Sequence, residues 1–151
     1  MIDYINRVKE QLPGIEVGYV DAYYQFEKRS KLIDACDVIL VNCYPFWEGC
    51  NIDQSSIYLK QMYAVTQQFA KGKPVIITET GWPNKGDSLQ SAKPTENNAM
   101  KYFIDSSNWA QKNEIPLFYF SSFDESWKVH HEGDVGARWG IWDKNEKLKF
   151  S

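Results

Sequence analysis

A single carboxylate ends the most apolar run of the sequence. Residues 74–83 read PVIITETGWP: an apolar stretch typical of a buried strand reaches Glu79, and a Gly-Trp-Pro turn follows. Burial of an ionised carboxylate without a partner is costly, so this position favours a functional role over a packing role. In barrels of alternating strands and helices, catalytic groups lie at the carboxyl ends of the strands. Glu79 is therefore the first candidate for a catalytic residue.

Polar side chains lie at the carboxyl end of each predicted strand. They are Asp21, Asn42 and Tyr44, Glu79, and, after the last strand, Asp124, Glu125 and Lys128. Residues two apart on a strand share a face, so Glu79 is predicted to point into the barrel mouth above Val75 and Ile77. For Asp124 and Glu125, a surface salt bridge with Lys128 is an alternative that the residues leave open.

The types of residue present favour glycoside hydrolysis. The sequence shows no nucleophile elbow with a Ser-His-Asp set and no phosphate loop. In glycosidases one carboxyl group donates a proton, and another attacks the sugar carbon or activates water. Flat aromatic rings near hydrogen-bonding groups suit a sugar, which makes Trp47, Trp82 and Trp127 candidate sugar platforms, with core packing as the alternative.

Composition narrows the choice of partners. The chain has 151 residues, a net charge of -3 and scattered Lys and Arg, which argues against nucleic acid or a membrane surface as partner. The apolar runs are about as long as strands, so no membrane span is predicted. Three cysteines and one adjacent histidine pair match neither a disulfide framework nor a zinc site. No metal or cofactor is predicted.

Hydrophobic periodicity predicts an α/β fold. Helical patterns cover residues 2–12, 25–36, 53–70 and 95–112, and strand patterns cover 15–22, 38–42, the run that bears Glu79, and 117–122. A short extra strand is predicted at 139–143. Apolar strands separated by helices indicate a parallel sheet. Residues 21–24 do not form the Gly-rich turn of a doubly wound nucleotide fold, so half of a TIM (β/α)8 barrel is favoured.

Four blocks of the sequence resemble glycoside hydrolase family 17, the β-1,3-glucanases. They are VIITETGWPN at 75–84, VNCYPFW at 41–47, AKPTENN at 92–98 and FYFSSFDESWK at 118–128. The resemblance covers nearly the whole chain and implies a barrel that cleaves β-1,3-glucan with retention of configuration. It implies that Glu79 is the nucleophile after strand seven, with Trp82 beside it. It also implies that Glu125 (as a supporting acid) and Lys128 follow strand eight, and that Asn42 and Tyr44 line the cleft.

One element of that family is missing from its expected place. The family's proton donor is a Glu in an Asn-Glu motif that ends strand four, whereas Asn113-Glu114 here closes a helix. The chain is also shorter than the roughly 250 residues of a complete barrel. Residues 1–151 are therefore predicted to be the C-terminal half, strands five to eight, with little activity alone.

Two other interpretations stay open, namely a transglycosylase fragment and a non-catalytic glucan-binding remnant. The expected partners are β-1,3-glucan and a structure that covers the open sheet edges, either the missing N-terminal half-barrel or a second copy. The family implies an extracellular or cell-wall location.

Overall fold

The computed structural model describes residues 1–150, which form four strands joined by helices. The strands are β1 (Gly18–Ala22), β2 (Val38–Asn42), β3 (Val75–Thr80) and β4 (Leu117–Tyr119). The helices are α1 (Ile2–Gln11), α2 (Ser30–Ala35), α3 (Ile52–Phe69), α4 (Glu96–Lys112) and α5 (Val129–Glu132). The predicted α/β class is confirmed. Among these residues no helix combines the length and hydrophobicity needed to cross a membrane.

The four strands form one parallel sheet in the order β1-β2-β3-β4. Each crossover therefore advances by one strand in the same direction. Because such crossovers are right-handed, they place their helices on the same face of the sheet. This winding differs from that of a doubly wound sheet, in which the strand order reverses and both faces are covered.

The pairing register separates a helix-covered face from an open face. On the helix face, Ile39 pairs with Val75 and Val41 with Ile77, and these residues are buried in the core. The sequence-based expectation that Val75 and Ile77 lie inside a barrel is therefore wrong. Strand alternation puts Ile76 on the open face instead.

The open face and the two sheet edges expose apolar side chains. On the open face, Val20 of β1 is 43% exposed and Phe118 of β4 is 64% exposed. On α1, which packs on α2, Tyr4 is also exposed, as is the C-cap residue Leu12. Within residues 1–150, β1 and β4 each have a strand neighbour on one side only. The sequence correctly predicted these two open edges.

Several element bounds differ from the sequence-based prediction. β1 begins at Gly18 rather than residue 15, because the chain at Ile15 still forms a turn on Leu12. β4 ends at Tyr119, since the Ser121 amide donates to the Trp139 carbonyl. The predicted helix at 25–36 is a 3-10 turn followed by the short α2. The extra strand at 139–143 is absent from the described residues, where that segment forms isolated bridges.

Candidate active site

A β-bulge near the end of β3 determines which way Glu79 points. Val41 pairs with Ile77, yet the next residue, Asn42, pairs with Glu79, so Thr78 is an extra residue in β3. The pairing of β3 with β4 shifts in the same place. Regular alternation after Ile77 would turn Glu79 toward the helices. The bulge turns it to the open face, a role that bulges commonly have beside active sites.

Hydrogen bonds fix both residues of the bulge. The Thr78 hydroxyl donates to Asn42 Oδ1 at 2.8 Å, and the Tyr44 hydroxyl donates to Glu79 Oε2 at 2.9 Å. Burial raises the pKa of Tyr44, and the charge of the neighbouring Glu79 carboxylate raises it further. Tyr44 therefore stays protonated and serves as a donor to Glu79. The structure thus brings together three of the predicted site residues.

Phe120 connects this group to the residues after β4. Its ring centroid lies 6.3 Å from that of Tyr44, and the Lys128 Nζ atom lies 3.8 Å from the same centroid. Lys128 also forms an ion pair with Glu125 Oε2 at 2.8 Å. The contact of Lys128 with the ring is a cation–π interaction. The Glu125–Lys128 pair therefore adjoins the Tyr44–Glu79 pair across a single aromatic ring.

A cleft of about 530 Å³ opens beside Tyr44. It runs between the ends of β1 and β2, and its lining includes Asn42, Tyr44, Trp47 and Glu48. Trp47 is 42% exposed there, so its ring is available to stack on a ligand. Trp127 is 61% exposed and lies beside Lys128. Both tryptophans therefore present a flat apolar surface to solvent.

Trp82 does not have the position expected of a sugar platform. It is only 1% exposed, and its ring packs against Phe46 and Tyr102. Its indole nitrogen donates to the Lys93 carbonyl at 3.0 Å. The prediction that Trp82 binds substrate is corrected: it anchors the turn after Glu79 to α4 and the loop before it.

The carboxylate of Asp21 is hydrogen-bonded to other side chains of the protein. Asp21 borders the cleft, but it pairs with Val41 in the register and so lies on the helix face. Its carboxylate accepts from the Tyr19 hydroxyl at 2.8 Å and from Arg29 at 3.0 Å. Asp21 thus supports the β1–α2 connection, and its predicted contact with substrate stays a prediction.

Asp124 forms a buried ion pair with the end of the chain. Its side chain is 5% exposed, and its Oδ1 accepts from Lys149 Nζ at 2.8 Å and from the Gly140 amide at 3.0 Å. Lys149 also donates to Asn84 Oδ1, and its burial lowers its pKa. Asp124 therefore fixes the loops after β3 and β4 to the chain terminus, and the substrate contact predicted for it is corrected.

The sequence-based reasoning missed Trp139 and Glu132. Trp139 is buried, and its ring packs edge-on against Tyr44 at a centroid distance of 5.4 Å. Its indole nitrogen donates to Glu132 Oε2 at 3.0 Å. Gly81 lies under this ring, where a Cβ would overlap the Phe120 carbonyl oxygen and lie 3.3 Å from Trp139. Trp139 begins the segment predicted as a short extra strand, and Glu132 lies in a segment without a periodic pattern, so neither position carried the signal of a site.

The fold and site define a class of protein. A carboxylate at the carboxyl end of a parallel strand, beside an aromatic cleft, is the arrangement of a glycoside hydrolase built on strands and helices. Within residues 1–150, no cluster of three or more His, Cys, Asp or Glu side chains is placed to hold a metal.

Comparison with known proteins gives the family. The model of the BtgE/BtgC glycoside hydrolase domain matches residues 1–140. A family 17 β-1,3-glucanosyltransferase from Rhizomucor miehei superposes with a TM-score of 0.91 at 35% identity, over 98% of this chain and 54% of that one. The chain therefore belongs to glycoside hydrolase family 17.

Curated relatives extend the comparison. A glucan 1,3-beta-glucosidase of Saccharomyces cerevisiae is 28% identical over 148 residues, 91% of this chain and 47% of that protein. Another from Candida albicans is 31% identical over 97% of this chain and 54% of its own length. The chain thus spans about half the length of the curated relatives it matches.

Proposed function

We propose that this chain supplies the nucleophile of a retaining enzyme that acts on β-1,3-glucan. In this reaction the Glu79 carboxylate attacks the anomeric carbon, and the glycosidic C–O bond breaks as a second carboxyl group protonates the leaving oxygen. Water then hydrolyses the resulting glycosyl ester. The observation that carries the proposal is the bulge at Thr78, which turns Glu79 to the open face and into the hydrogen bond with Tyr44. A carboxylate with only a packing role would not need this change of direction.

The sheet fits one half of an eight-stranded barrel, with residues 1–151 as its C-terminal half. Its four strands run in sequential order with an uncovered face and two open edges. Eight strands close a barrel of this type, so four more strands would pair with both edges. Coverage of about half the length of the Saccharomyces cerevisiae and Rhizomucor miehei relatives supports this division. The exposed rings and aliphatic side chains on the open face, such as Phe118, are the surface that the other half would bury.

The proton donor then comes from outside these four strands. Retention needs two carboxyl groups roughly 5–5.5 Å apart. Glu125 follows the neighbouring strand, but its carboxylate is paired with Lys128. We therefore propose that the 151-residue chain alone does not turn over laminarin, and that Glu125 and Lys128 support the cleft.

The proposed substrate is a β-1,3-linked glucan or oligosaccharide. The Rhizomucor miehei relative has been solved with laminaritriose bound, and it is 33% identical to this chain. Asn42, Tyr44, Trp47, Trp127 and Lys128 are the residues that we propose contact the sugar. An extracellular or cell-wall location accords with this substrate.

Transfer to a second sugar is the alternative outcome of the same chemistry. The solved relative that is 35% identical to this chain is named a glucanosyltransferase, whereas the curated relatives are named glucosidases. In both reactions Glu79 forms the same glycosyl ester, and only the acceptor differs.

A chimera tests the proposal. The N-terminal half of the Rhizomucor miehei protein is joined to residues 1–151, and products from laminarin are measured with and without Glu79→Gln. We expect turnover that Glu79→Gln abolishes. Equal turnover by the Glu79→Gln chimera would contradict the proposal. A folded chimera that binds laminaritriose without releasing product would instead indicate a non-catalytic glucan-binding remnant.

A further inference from the structure

Trp139 is the centre of the aromatic group beneath the cleft. Its centroid lies 5.4 Å from Tyr44, 5.6 Å from Phe46, 5.5 Å from Trp47 and 6.2 Å from Phe120. It therefore contacts the tyrosine that bonds Glu79, the tryptophan that lines the cleft and the ring under Lys128. A shift of this one indole would move all of them, since close-packed interiors transmit displacement.

One hydrogen bond sets the orientation of this indole. Trp139 is 3% exposed, and its Nε1 atom donates to Glu132 Oε2 at 3.0 Å. A buried indole N–H needs an acceptor, because leaving it unpaired costs the full desolvation penalty. Glu132 therefore fixes how the indole ring is rotated about the bond that joins it to its Cβ atom. Apolar packing alone would define that rotation less well.

The backbone around Glu132 is itself held in place. Glu132 ends α5, and Gly133 then adopts a φ of +70°, a conformation that glycine reaches without strain. The next turn packs tightly on α5: a Cβ at Gly136 would lie 2.9 Å from the Glu132 Cβ and 2.7 Å from the Lys128 carbonyl oxygen. The position of the Glu132 side chain is thus fixed relative to Lys128 as well as to Trp139.

We propose that Glu132 is a positioning residue for the nucleophile. It acts through the Trp139 indole, which holds Tyr44 against Glu79. Two independent contacts carry this proposal, the Glu132–Trp139 hydrogen bond and the edge-on packing of Trp139 on Tyr44. The charge of Glu132 also contributes to the raised pKa of Tyr44, in agreement with the short path between them. The importance of this chain of contacts for catalysis rests on the proposed role of Glu79.

Tyrosine nitration measures the positioning without requiring turnover. Tetranitromethane reacts with exposed phenolate, and the yield at each tyrosine is read by peptide mass spectrometry on the 151-residue chain. Tyr44 is half-buried beside the cleft, and we expect its hydrogen bond to Glu79 to protect it. Tyr102 is 1% exposed and bonds Thr80 rather than Trp139, so it reports general loosening of the fold. Tyr4, which is 67% exposed, serves as the reactive reference.

Three variants separate positioning from charge and from stability. Glu132→Leu removes the acceptor, and we expect nitration of Tyr44 to rise about tenfold, the effect of losing one buried hydrogen bond, while Tyr102 stays protected. Glu132→Gln keeps an acceptor oxygen without the charge and should leave Tyr44 protected. His131→Leu, at the exposed neighbouring position in α5, is the matched control and should also leave Tyr44 protected.

Several results would overturn the proposal. The first is continued protection of Tyr44 in Glu132→Leu. The second is equal nitration of Tyr44 in Glu132→Gln and Glu132→Leu. The third is that Tyr44 and Tyr102 both become reactive in Glu132→Leu. If Glu132→Leu does not fold, Trp139→Phe removes only the N–H group and part of the ring, and protection of Tyr44 there would likewise overturn it. Because no substrate is used, failure of this proposal is distinguishable from failure of the proposed glucan chemistry.

Discussion

Asn42 and Glu79 are partners across β2 and β3 because β3 carries one residue more than β2 at that point. In a regular register Glu79 would lie beside Cys43, which is fully buried on the helix face. Instead the Glu79 carboxylate reaches Tyr44 on the open face. The direction of the proposed nucleophile thus depends on a backbone irregularity, and the surrounding hydrogen bonds maintain it.

The bulge predicts a measurable coupling between Thr78 and Asn42. Thr78→Val removes the hydroxyl that donates to Asn42 Oδ1 at nearly constant volume. We expect the free energy of unfolding to fall by about 1 kcal/mol, the net value of one such bond. In an Asn42→Ala background the same substitution should cost much less, as urea titrations of the four proteins would show. Equal costs in both backgrounds would mean that the bond contributes nothing.

Tyr44→Phe tests the hydrogen bond on the nucleophile. It removes only the hydroxyl that donates to Glu79. Bonds to a charged group contribute about 1.5–3 kcal/mol, so we expect kcat/KM of the chimera on laminarin to fall by about tenfold to a hundredfold. Tyr63→Phe, far from Glu79 on α3, is the control and should leave the rate unchanged. A Tyr44→Phe chimera as active as its parent would show that the bond has no role in the reaction.

The buried Asp124–Lys149 pair predicts a large loss of stability on single substitution. The two side chains are 5% and 10% exposed. Lys149→Met leaves an uncompensated buried carboxylate, and breaking a buried pair in this way costs about 3–5 kcal/mol. The exposed Lys101–Asp105 pair is a matched control, where Lys101→Met should cost about 0.3–0.5 kcal/mol. Similar losses at both pairs would contradict the structural role assigned to Asp124.

The open face predicts self-association of the isolated chain. Phe118 is 64% exposed on that face, in a sheet with two open edges, and exposed patches of this kind drive association. Sedimentation velocity should show oligomers that Phe118→Lys shifts toward monomer. Ile57→Lys is the control, because Ile57 is 56% exposed but lies on helix α3 rather than on the open face of the sheet. A stable monomer at all concentrations would count against the prediction.

The buried thiol of Cys43 should make the folded protein less stable at alkaline pH. Burial raises the pKa of Cys43 from 9.0 to about 12. The folded protein therefore keeps a proton that the unfolded chain releases above pH 9.0, and the stabilisation present below that pH is lost as pH rises toward about 12. The stability difference between the wild type and Cys43→Ala should shrink by about 1.4 kcal/mol per pH unit in that window. A pH-independent difference would contradict this burial.

The sequence allowed prediction of the features that depend on local pattern. The apolar run of β2 and the helical periodicity of α3 and α4 placed these three elements, because their patterns are strong. Tyr44 and Glu79 could be grouped because both follow adjacent parallel strands. The bulge at Thr78 could not be predicted, since its signal is one additional polar residue in a strand that is otherwise apolar.

The errors came from contacts between distant segments. Trp47 and Trp82 both follow strands, yet Trp82 is buried and donates to the Lys93 carbonyl, whereas Trp47 is 42% exposed. Asp124 looked available for substrate because its partner Lys149 lies 25 residues later. The local sequence does not indicate which distant residue each of these side chains contacts. Their burial and ion pairing could therefore be learned only from the structure.

Trapping the glycosyl ester tests the central claim most directly. The 151-residue chain is incubated with 2,4-dinitrophenyl 2-deoxy-2-fluoro-β-laminaribioside, whose leaving group departs without a proton donor and whose fluorine slows hydrolysis of the ester. Mass spectrometry of the digested protein should find one added 2-deoxy-2-fluoro-laminaribiosyl group on Glu79, none in Glu79→Gln, and no products from laminarin. A label on any other residue, or turnover of laminarin by the wild-type chain, would contradict the account.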